Sequence, residues 1–223
     1  MRRSARPPSL SISLPDPPEP SAIRPLLHTW KVGQSLIRCH NIRFGATEFN
    51  PGVGPSGRFH PFADREDRMV PTLYGAEDLD GALSETVFHN VPVRGPAKRI
   101  AKYVLQPMVA SSLVCDRPLT LVQLYGFGLP RLEVSRPELI ETDVDDYPRT
   151  AAWARALHAS APGIDGLIWV SRQNDASFAL VLFGDRVARA SLEVVEAPRP
   201  LGFGPGFDEV QRAAEQAGIT IFE

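Results

Sequence analysis

Cysteine is scarce in this chain of 223 residues, which contains only Cys39 and Cys115. Two isolated cysteines without metal-ligand spacing are typical of reduced, buried thiols rather than of a disulfide framework. The five histidines also show no His-x-x-x-His or His/Cys spacing, so we expect no metal site. Reduced thiols fit a cytoplasmic location, which is the one we predict.

Long apolar runs and an excess of charge are missing as well. No apolar run approaches the roughly 18 residues of a membrane span. The 24 basic and 26 acidic side chains leave a formal net charge of -2. Because a nearly neutral chain offers no strong attraction to polyanions, we expect neither a membrane nor nucleic acid as a direct partner.

The familiar nucleotide and nucleophile motifs are absent. The chain has no P-loop, no Gly-x-Gly-x-x-Gly and no Gly-x-Ser-x-Gly. A dinucleotide site would therefore lie outside Rossmann-type binding, and no serine is placed as the nucleophile of a strand-to-helix elbow.

Proline, in contrast, is abundant, with 22 residues in the chain and a cluster near its start. Pro-Pro and Pro-Asp-Pro-Pro keep the backbone extended and bury little surface. We predict a Pro-rich arm at residues 1–30, flexible or draped over the protein, and one compact domain at residues 31–223. A hydrophobic content of 43% is normal for such a domain.

Apolar patterning predicts strands and helices that alternate irregularly, which favours an α+β fold over a doubly wound parallel sheet. The predicted strands cover residues 35–40, 69–76, 99–106, 111–115, 119–124, 164–171, 178–183, 191–195 and 219–222. The predicted helices cover residues 77–89, 147–160 and 207–217.

Three side chains near one predicted strand-to-helix turn suggest a binding cleft. Tyr74 ends the strand, and Glu85 lies roughly 10 Å along the following helix, so both can border one cleft. Arg58, after Gly57, can bind phosphate or carboxylate through a bidentate contact. The alternatives are an Arg58 ion pair with Asp64 or Glu66 at the surface, a Tyr74 in the core and a solvated Glu85.

Arg38 and Ser171 are two further candidates. Arg38, the polar residue of an apolar strand, can bind an anion or form a surface ion pair. The Ser171 hydroxyl, at the end of an apolar strand, can hydrogen-bond a ligand or start a turn.

The order of these short motifs resembles the RES domain family, named for its Arg, Glu and Ser residues. The resemblance rests on Ile37-Arg38, on Gly57-Arg58-Phe59-His60, on Leu73-Tyr74-Gly75-Ala76, on Ala82-Leu83-Ser84-Glu85, on residues 163–172 and on residues 179–183. Members of this family are toxins of bacterial toxin–antitoxin pairs with an Xre-like antitoxin.

The resemblance implies a fold similar to the diphtheria-toxin type of ADP-ribosyltransferase, with NAD as a substrate broken at the nicotinamide–ribose bond. It implies that Arg38 and Arg58 hold the phosphates, that Tyr74 lines the nicotinamide pocket and that Glu85 acts at the ribose. Ser171 would hydrogen-bond near the nicotinamide or its ribose. Water or phosphate would be the acceptor of a glycohydrolase or phosphorylase.

Two other functions stay open at this point. The chain is alternatively a protein ADP-ribosyltransferase, or a non-catalytic module that binds NAD without consuming it. We also expect an Xre-like antitoxin as a protein partner, and a homo-oligomer is possible.

Overall fold

Short strands and helices alternate irregularly along residues 13–223, the part of the chain that a computed structural model describes. This confirms the predicted α+β class. The strands are β1 (Leu27–Trp30), β2 (Leu36–Asn41), β3 (Thr72–Ala76), β4 (Arg99–Ala101), β5 (Met108–Cys115), β6 (Leu119–Gln123), β7 (Gly166–Val170), β8 (Phe178–Phe183), β9 (Leu192–Val194), β10 (Arg199–Pro200) and β11 (Thr220–Phe222). The α-helices are α1 (Leu79–Ser84), α2 (Gly128–Arg131), α3 (Arg136–Leu139), α4 (Tyr147–Ser160) and α5 (Gly204–Ala217).

Within these residues, nine strands form one mixed sheet in the order β1-β6-β7-β8-β3-β2-β5-β10, with β9 also paired to β5. The β6–β7 pair is parallel and the other pairs of this sheet are antiparallel. β4 and β11 form a separate parallel pair. The strand β3, which carries Tyr74, is thus in the middle of the large sheet.

Side chains alternate between the two faces of a strand, and this separates the core clusters. On β8, Val181 and Phe183 belong to one buried cluster, while Leu180 and Leu182 belong to another on the opposite face. The helix α4 contributes Trp153 to the first of these clusters.

A further cluster, built on α1 and α5, shares the face of the sheet on which α4 lies. On β3, Tyr74 packs against the α4 cluster, and Ala76, two residues later, belongs to the α1–α5 cluster. Residues two apart on a strand point to the same side. The two clusters therefore meet on one face, and the seam between them passes over Tyr74.

The N-terminal segment is part of this core from residue 13 onward. Leu14 and Ile23 are 2% and 4% exposed, and β1 pairs with β6. Arg149 and Trp153 of α4 donate hydrogen bonds to the carbonyls of Leu14 and Pro15, at 2.9 and 2.8 Å. Over residues 13–30 the segment is therefore draped over the domain rather than flexible, which is one of the two expected alternatives, and residues 1–12 lie outside the described residues.

Helix α1 is shorter than the predicted helix at residues 77–89. Asp78 caps its start by accepting from the Gly81 N–H at 2.7 Å. The helix ends at Ser84, where the Ser84 and Thr86 hydroxyls donate to carbonyls four residues earlier. Glu85 is consequently the C-cap residue, and the chain turns away after it.

None of the helices in residues 13–223 has the length and apolar character needed to cross a bilayer.

Candidate active site

A cleft of about 470 Å³ opens at the seam between the two core clusters. The structure brings Arg58, Tyr74 and Glu85 to this cleft, as the predicted strand-to-helix turn required. Its lining residues are Asn50, Pro55, Ser56, Gly57, Arg58, His60, Tyr74, Glu85, Thr86, His89, Asn90, Val144 and Tyr147.

The carboxylate of Glu85 is the most constrained group of the cleft. Its Oε1 accepts hydrogen bonds from the Ser171 hydroxyl at 2.8 Å and from the Arg172 backbone N–H at 2.9 Å. The side chain is only 8% exposed, so the solvated alternative for Glu85 is wrong. Two donors on one oxygen fix the orientation of the carboxylate and leave Oε2 directed toward the Arg58 guanidinium.

Arg58 forms a buried ion pair with that second oxygen, with Nη1 at 3.5 Å from Oε2. The side chain is 2% exposed, and its Nε and Nη2 are buried without a hydrogen-bond partner among the described residues. A buried cation with unsatisfied donors is costly to fold. The expected alternative, a surface pair with Asp64, is wrong, because Asp64 pairs with Arg68 instead.

The backbone around Arg58 is fixed from two sides. The Thr150 hydroxyl on α4 donates to the Arg58 carbonyl. Gly57 and His60 exchange backbone hydrogen bonds of 2.9 and 3.2 Å. A Cβ at Gly57 would lie 3.3 Å from the Tyr74 hydroxyl, so a side chain here would crowd the cleft.

Tyr74 lines the cleft and packs against the core cluster of α4. The hydroxyl oxygen accepts from the Phe59 N–H at 3.1 Å, and its own proton is donated to no described residue. Burial raises the pKa of Tyr74 well above its ordinary value of 10.0. The residue therefore stays a neutral phenol that can donate a hydrogen bond to a ligand.

Ser171 lies behind Glu85 rather than in the cleft. It is fully buried at 0% exposure, and its hydroxyl is used by Glu85 Oε1. The expected direct contact of Ser171 with a ligand is corrected accordingly. The residue holds the carboxylate, and it could act on a ligand only through Glu85.

Arg38 is not brought to this cleft. Ile37 and Cys39 face the α1–α5 cluster, so strand alternation turns Arg38 to the opposite face of the sheet. There its Nη1 donates to the carbonyls of Ala46 and Glu48, at 2.8 and 2.7 Å. Arg38 braces the loop after β2, and the expectation that it holds phosphates in this cleft is not supported.

His89 and Tyr147 line the cleft and were not anticipated from the sequence. His89 Nε2 is 2.9 Å from the Tyr147 hydroxyl, a hydrogen bond across 58 residues. Burial lowers the pKa of His89 below its ordinary 6.5, the Arg58 cation lowers it further, and Glu85 opposes both. His89 is thus a neutral imidazole at pH 7. Its only sequence signal is its place four residues after Glu85.

The loop between β7 and β8 hydrogen-bonds to both ends of the segment that forms one wall of the cleft. The Gln173 amide donates to the carbonyls of Phe88 and His89, at 2.9 and 3.0 Å. The Ser177 hydroxyl donates to the Asp78 cap at 3.0 Å. One loop therefore positions both the carboxylate of Glu85 and the segment that carries His89.

A larger cavity, of about 790 Å³, lies beside α2 and α3. Arg136, which lines this cavity, is already bonded to the Val170 and Ser171 carbonyls and to Glu141. We therefore take the smaller cleft as the candidate active site, because its charged side chains remain available to a ligand. Among the described residues, no cluster of three or more His, Cys, Asp or Glu side chains could hold a metal ion.

The cleft combines a fixed carboxylate, a partly unpaired guanidinium and a neutral phenol. Such a carboxylate can stabilise positive charge that develops on a nearby sugar ring, since both sit in a site of low dielectric constant. The guanidinium can bind an anionic oxygen, and the phenol can donate to a carbonyl or contact a planar ring.

The comparisons with known proteins agree with these observations. No curated protein matches the chain in sequence. A chain of the M. tuberculosis MbcT–MbcA toxin–antitoxin complex has a similar structure, with a TM-score of 0.57 and 14% identity over 83% of this chain and 92% of that chain. At this identity the likeness shows a shared fold. The RES domain family matches residues 35–203, and the chain therefore belongs to the RES domain family.

Proposed function

We propose that this protein is the toxin of a toxin–antitoxin pair and that it consumes NAD by breaking the nicotinamide–ribose bond. The observation that carries the proposal is the carboxylate of Glu85, held by Ser171 and Arg172 at 2.8 and 2.9 Å in the same cleft as Arg58 and Tyr74. Membership of the RES domain family and a fold shared with a chain of a toxin–antitoxin complex support it.

In this reaction Glu85, Arg58 and Tyr74 each have one role. The C–N bond breaks, its electron pair goes to the ring nitrogen, and nicotinamide leaves as a neutral molecule. The positive charge left on the ribose is stabilised by Glu85. Arg58, two nitrogens of which have no partner among residues 13–223, binds a diphosphate oxygen, and Tyr74 donates to the nicotinamide carboxamide.

Water or phosphate then adds to the ribose and loses a proton, which gives ADP-ribose or its phosphate ester. In this proposal NAD is a substrate and not a resident cofactor. The fold would correspond to the diphtheria-toxin type of ADP-ribosyltransferase, and the protein would act in a bacterial cytoplasm beside an Xre-like antitoxin.

Purified protein incubated with NAD tests the chemistry. We expect release of free nicotinamide together with ADP-ribose, or with its phosphate ester when phosphate is present. Transfer of label from NAD to protein, with little free ADP-ribose, would instead establish a protein ADP-ribosyltransferase. Binding of NAD without nicotinamide release would leave a non-catalytic module.

Induction in cells tests the biological role. We expect the NAD level to fall after the chain is expressed alone, and to stay normal when the product of the neighbouring gene is expressed with it. Normal NAD and normal growth in both cases would contradict the toxin proposal.

A further inference from the structure

A second cavity, of about 570 Å³, adjoins the cleft that contains Glu85. Thr86 and Asn90 line both cavities, so the two share one wall. We call the second cavity the side pocket, and define it by Val87, Val91, Arg99, Tyr103, Val104 and Phe222. It lies between the segment after α1 and the small β4–β11 pair.

Aromatic and aliphatic side chains of the side pocket are exposed to solvent. Tyr103 is 69% exposed, Phe222 is 42% exposed and Val104 is 40% exposed. Exposed apolar side chains that line one concave surface are typical of a binding site rather than of scattered surface residues.

The charged group of the side pocket is also available to a ligand. Arg99 makes no hydrogen bond or ion pair through its side chain with the described residues, and its Cζ lies 5.2 Å from the centroid of the Phe222 ring. Four of the nine residues at 94–102 are basic, namely Arg94, Lys98, Arg99 and Lys102, of which Lys102 pairs with Glu223. An anion is therefore attracted to this side of the cleft.

Aromatic faces beside an unpaired arginine suit a nucleobase attached to phosphate. We propose that the side pocket binds the adenosine half of the dinucleotide whose nicotinamide half is cleaved at Glu85. This inference rests on the proposed function for the identity of the ligand. The base stacks on Tyr103, and Arg99 binds the phosphate next to the adenosine.

Binding of adenosine monophosphate tests the side pocket without any turnover. Isothermal titration calorimetry compares the parent protein, Tyr103→Ala and the control Phe127→Ala, whose aromatic ring is 83% exposed outside the side pocket. We expect Tyr103→Ala to weaken binding about 5- to 150-fold, the range expected for loss of one stacked base, and the control to bind like the parent. Because Tyr103 is largely exposed, its replacement leaves the fold intact.

Steady-state kinetics with a truncated substrate are the second test of the side pocket. Nicotinamide mononucleotide lacks the adenosine half, so Tyr103→Ala should raise KM for NAD and leave kcat/KM for the mononucleotide unchanged.

The outcomes separate the two proposals. Equal binding of adenosine monophosphate by the parent and Tyr103→Ala, or no binding by either, overturns the side-pocket assignment even if NAD is cleaved. Binding that depends on Tyr103, in a protein that cleaves neither substrate, upholds the side pocket and overturns the proposed function.

Discussion

The hydroxyl of Ser171 donates a 2.8 Å hydrogen bond to Oε1 of Glu85, across 86 residues of sequence. The Arg172 backbone N–H donates to the same oxygen. The end of β7 thus fixes the carboxylate that follows α1, and the orientation of Glu85 depends on contacts made by a distant part of the chain.

Ser171→Ala should therefore lower kcat about 10- to 100-fold with little change in KM. A hydrogen bond to a charged group contributes ~1.5–3 kcal/mol, and this one positions a group that acts in the transition state. The measurement is steady-state nicotinamide release, with folding checked by circular dichroism.

Ser177→Ala is the matched control for that variant. Ser177 is also buried, at 2% exposure, but its hydroxyl donates to Asp78 and not to Glu85. We expect it to lower the melting temperature and leave kcat nearly unchanged. A larger loss of kcat in Ser177→Ala than in Ser171→Ala would contradict the positioning role.

The buried ion pair of Arg58 and Glu85 should be needed for activity and should not raise the melting temperature. Two nitrogens of Arg58 are buried without partners in the described part of the chain, and removing both charges of a buried ion pair with side chains of similar volume is often neutral or stabilising. We expect Arg58→Met combined with Glu85→Gln to unfold at the same temperature as the parent or above it, and to be inactive.

The single variant Glu85→Gln should be less stable than that double variant, because it leaves the Arg58 cation unpaired. Thermal melts of the parent, both single variants and the double variant give the coupling between the two sites. A double variant that melts well below the parent would show instead that the pair stabilises the fold.

Tyr74→Phe should destabilise the protein by about 1–3 kcal/mol, since it leaves the buried Phe59 N–H without an acceptor. Tyr125→Phe is the control, because that hydroxyl bonds to His28 at a partly exposed position. Urea unfolding measures both. Equal losses of unfolding free energy in the two variants would mean that the hydrogen bond from the Phe59 N–H contributes no more than a partly exposed one.

Stability should also fall as the solution is acidified from pH 7.5 to pH 5.5. Burial lowers the pKa of His28, His40, His60 and His89 below the ordinary 6.5. Above 6.5 both states are neutral at these sites. Below 6.5 the unfolded histidines bind protons that the folded ones resist, so the free energy of unfolding declines until the lowered folded pKa values are reached.

Melting temperatures across this pH range measure the effect, since carboxyl groups titrate below it. His40→Gln should reduce the decline, because His40 is buried against Ser111 at 2.8 Å and beside the Arg38 cation. A protein that is as stable at pH 5.5 as at pH 7.5 would contradict this prediction.

Local sequence signals were sufficient where structure depends on neighbouring residues. The bounds of α4 (Tyr147–Ser160) and β8 (Phe178–Phe183) are those predicted, because helical periodicity and a continuous apolar run are local properties. The turn between Tyr74 and Glu85 was predicted for the same reason. The strand β1 was missed because its surroundings are rich in proline, and it is stabilised by pairing with the distant β6.

Contacts between distant segments could not be read from the sequence. His89 meets Tyr147 only because α4 packs over the turn after α1, and Ser171 meets Glu85 only through the register of β7. Arg38 is the exception. The apolar neighbours Ile37 and Cys39 already indicated that Arg38 points to the other face of its strand.

The central claim is that the carboxylate of Glu85 drives cleavage of the nicotinamide–ribose bond. The most direct test compares nicotinamide release from saturating NAD by the parent protein and by Glu85→Gln, with the fold of both verified by circular dichroism. We predict steady release by the parent and a loss of at least about 100-fold in the variant, because the neutral amide cannot offset the charge on the ribose. A folded Glu85→Gln protein that releases nicotinamide at the parent rate would contradict the account.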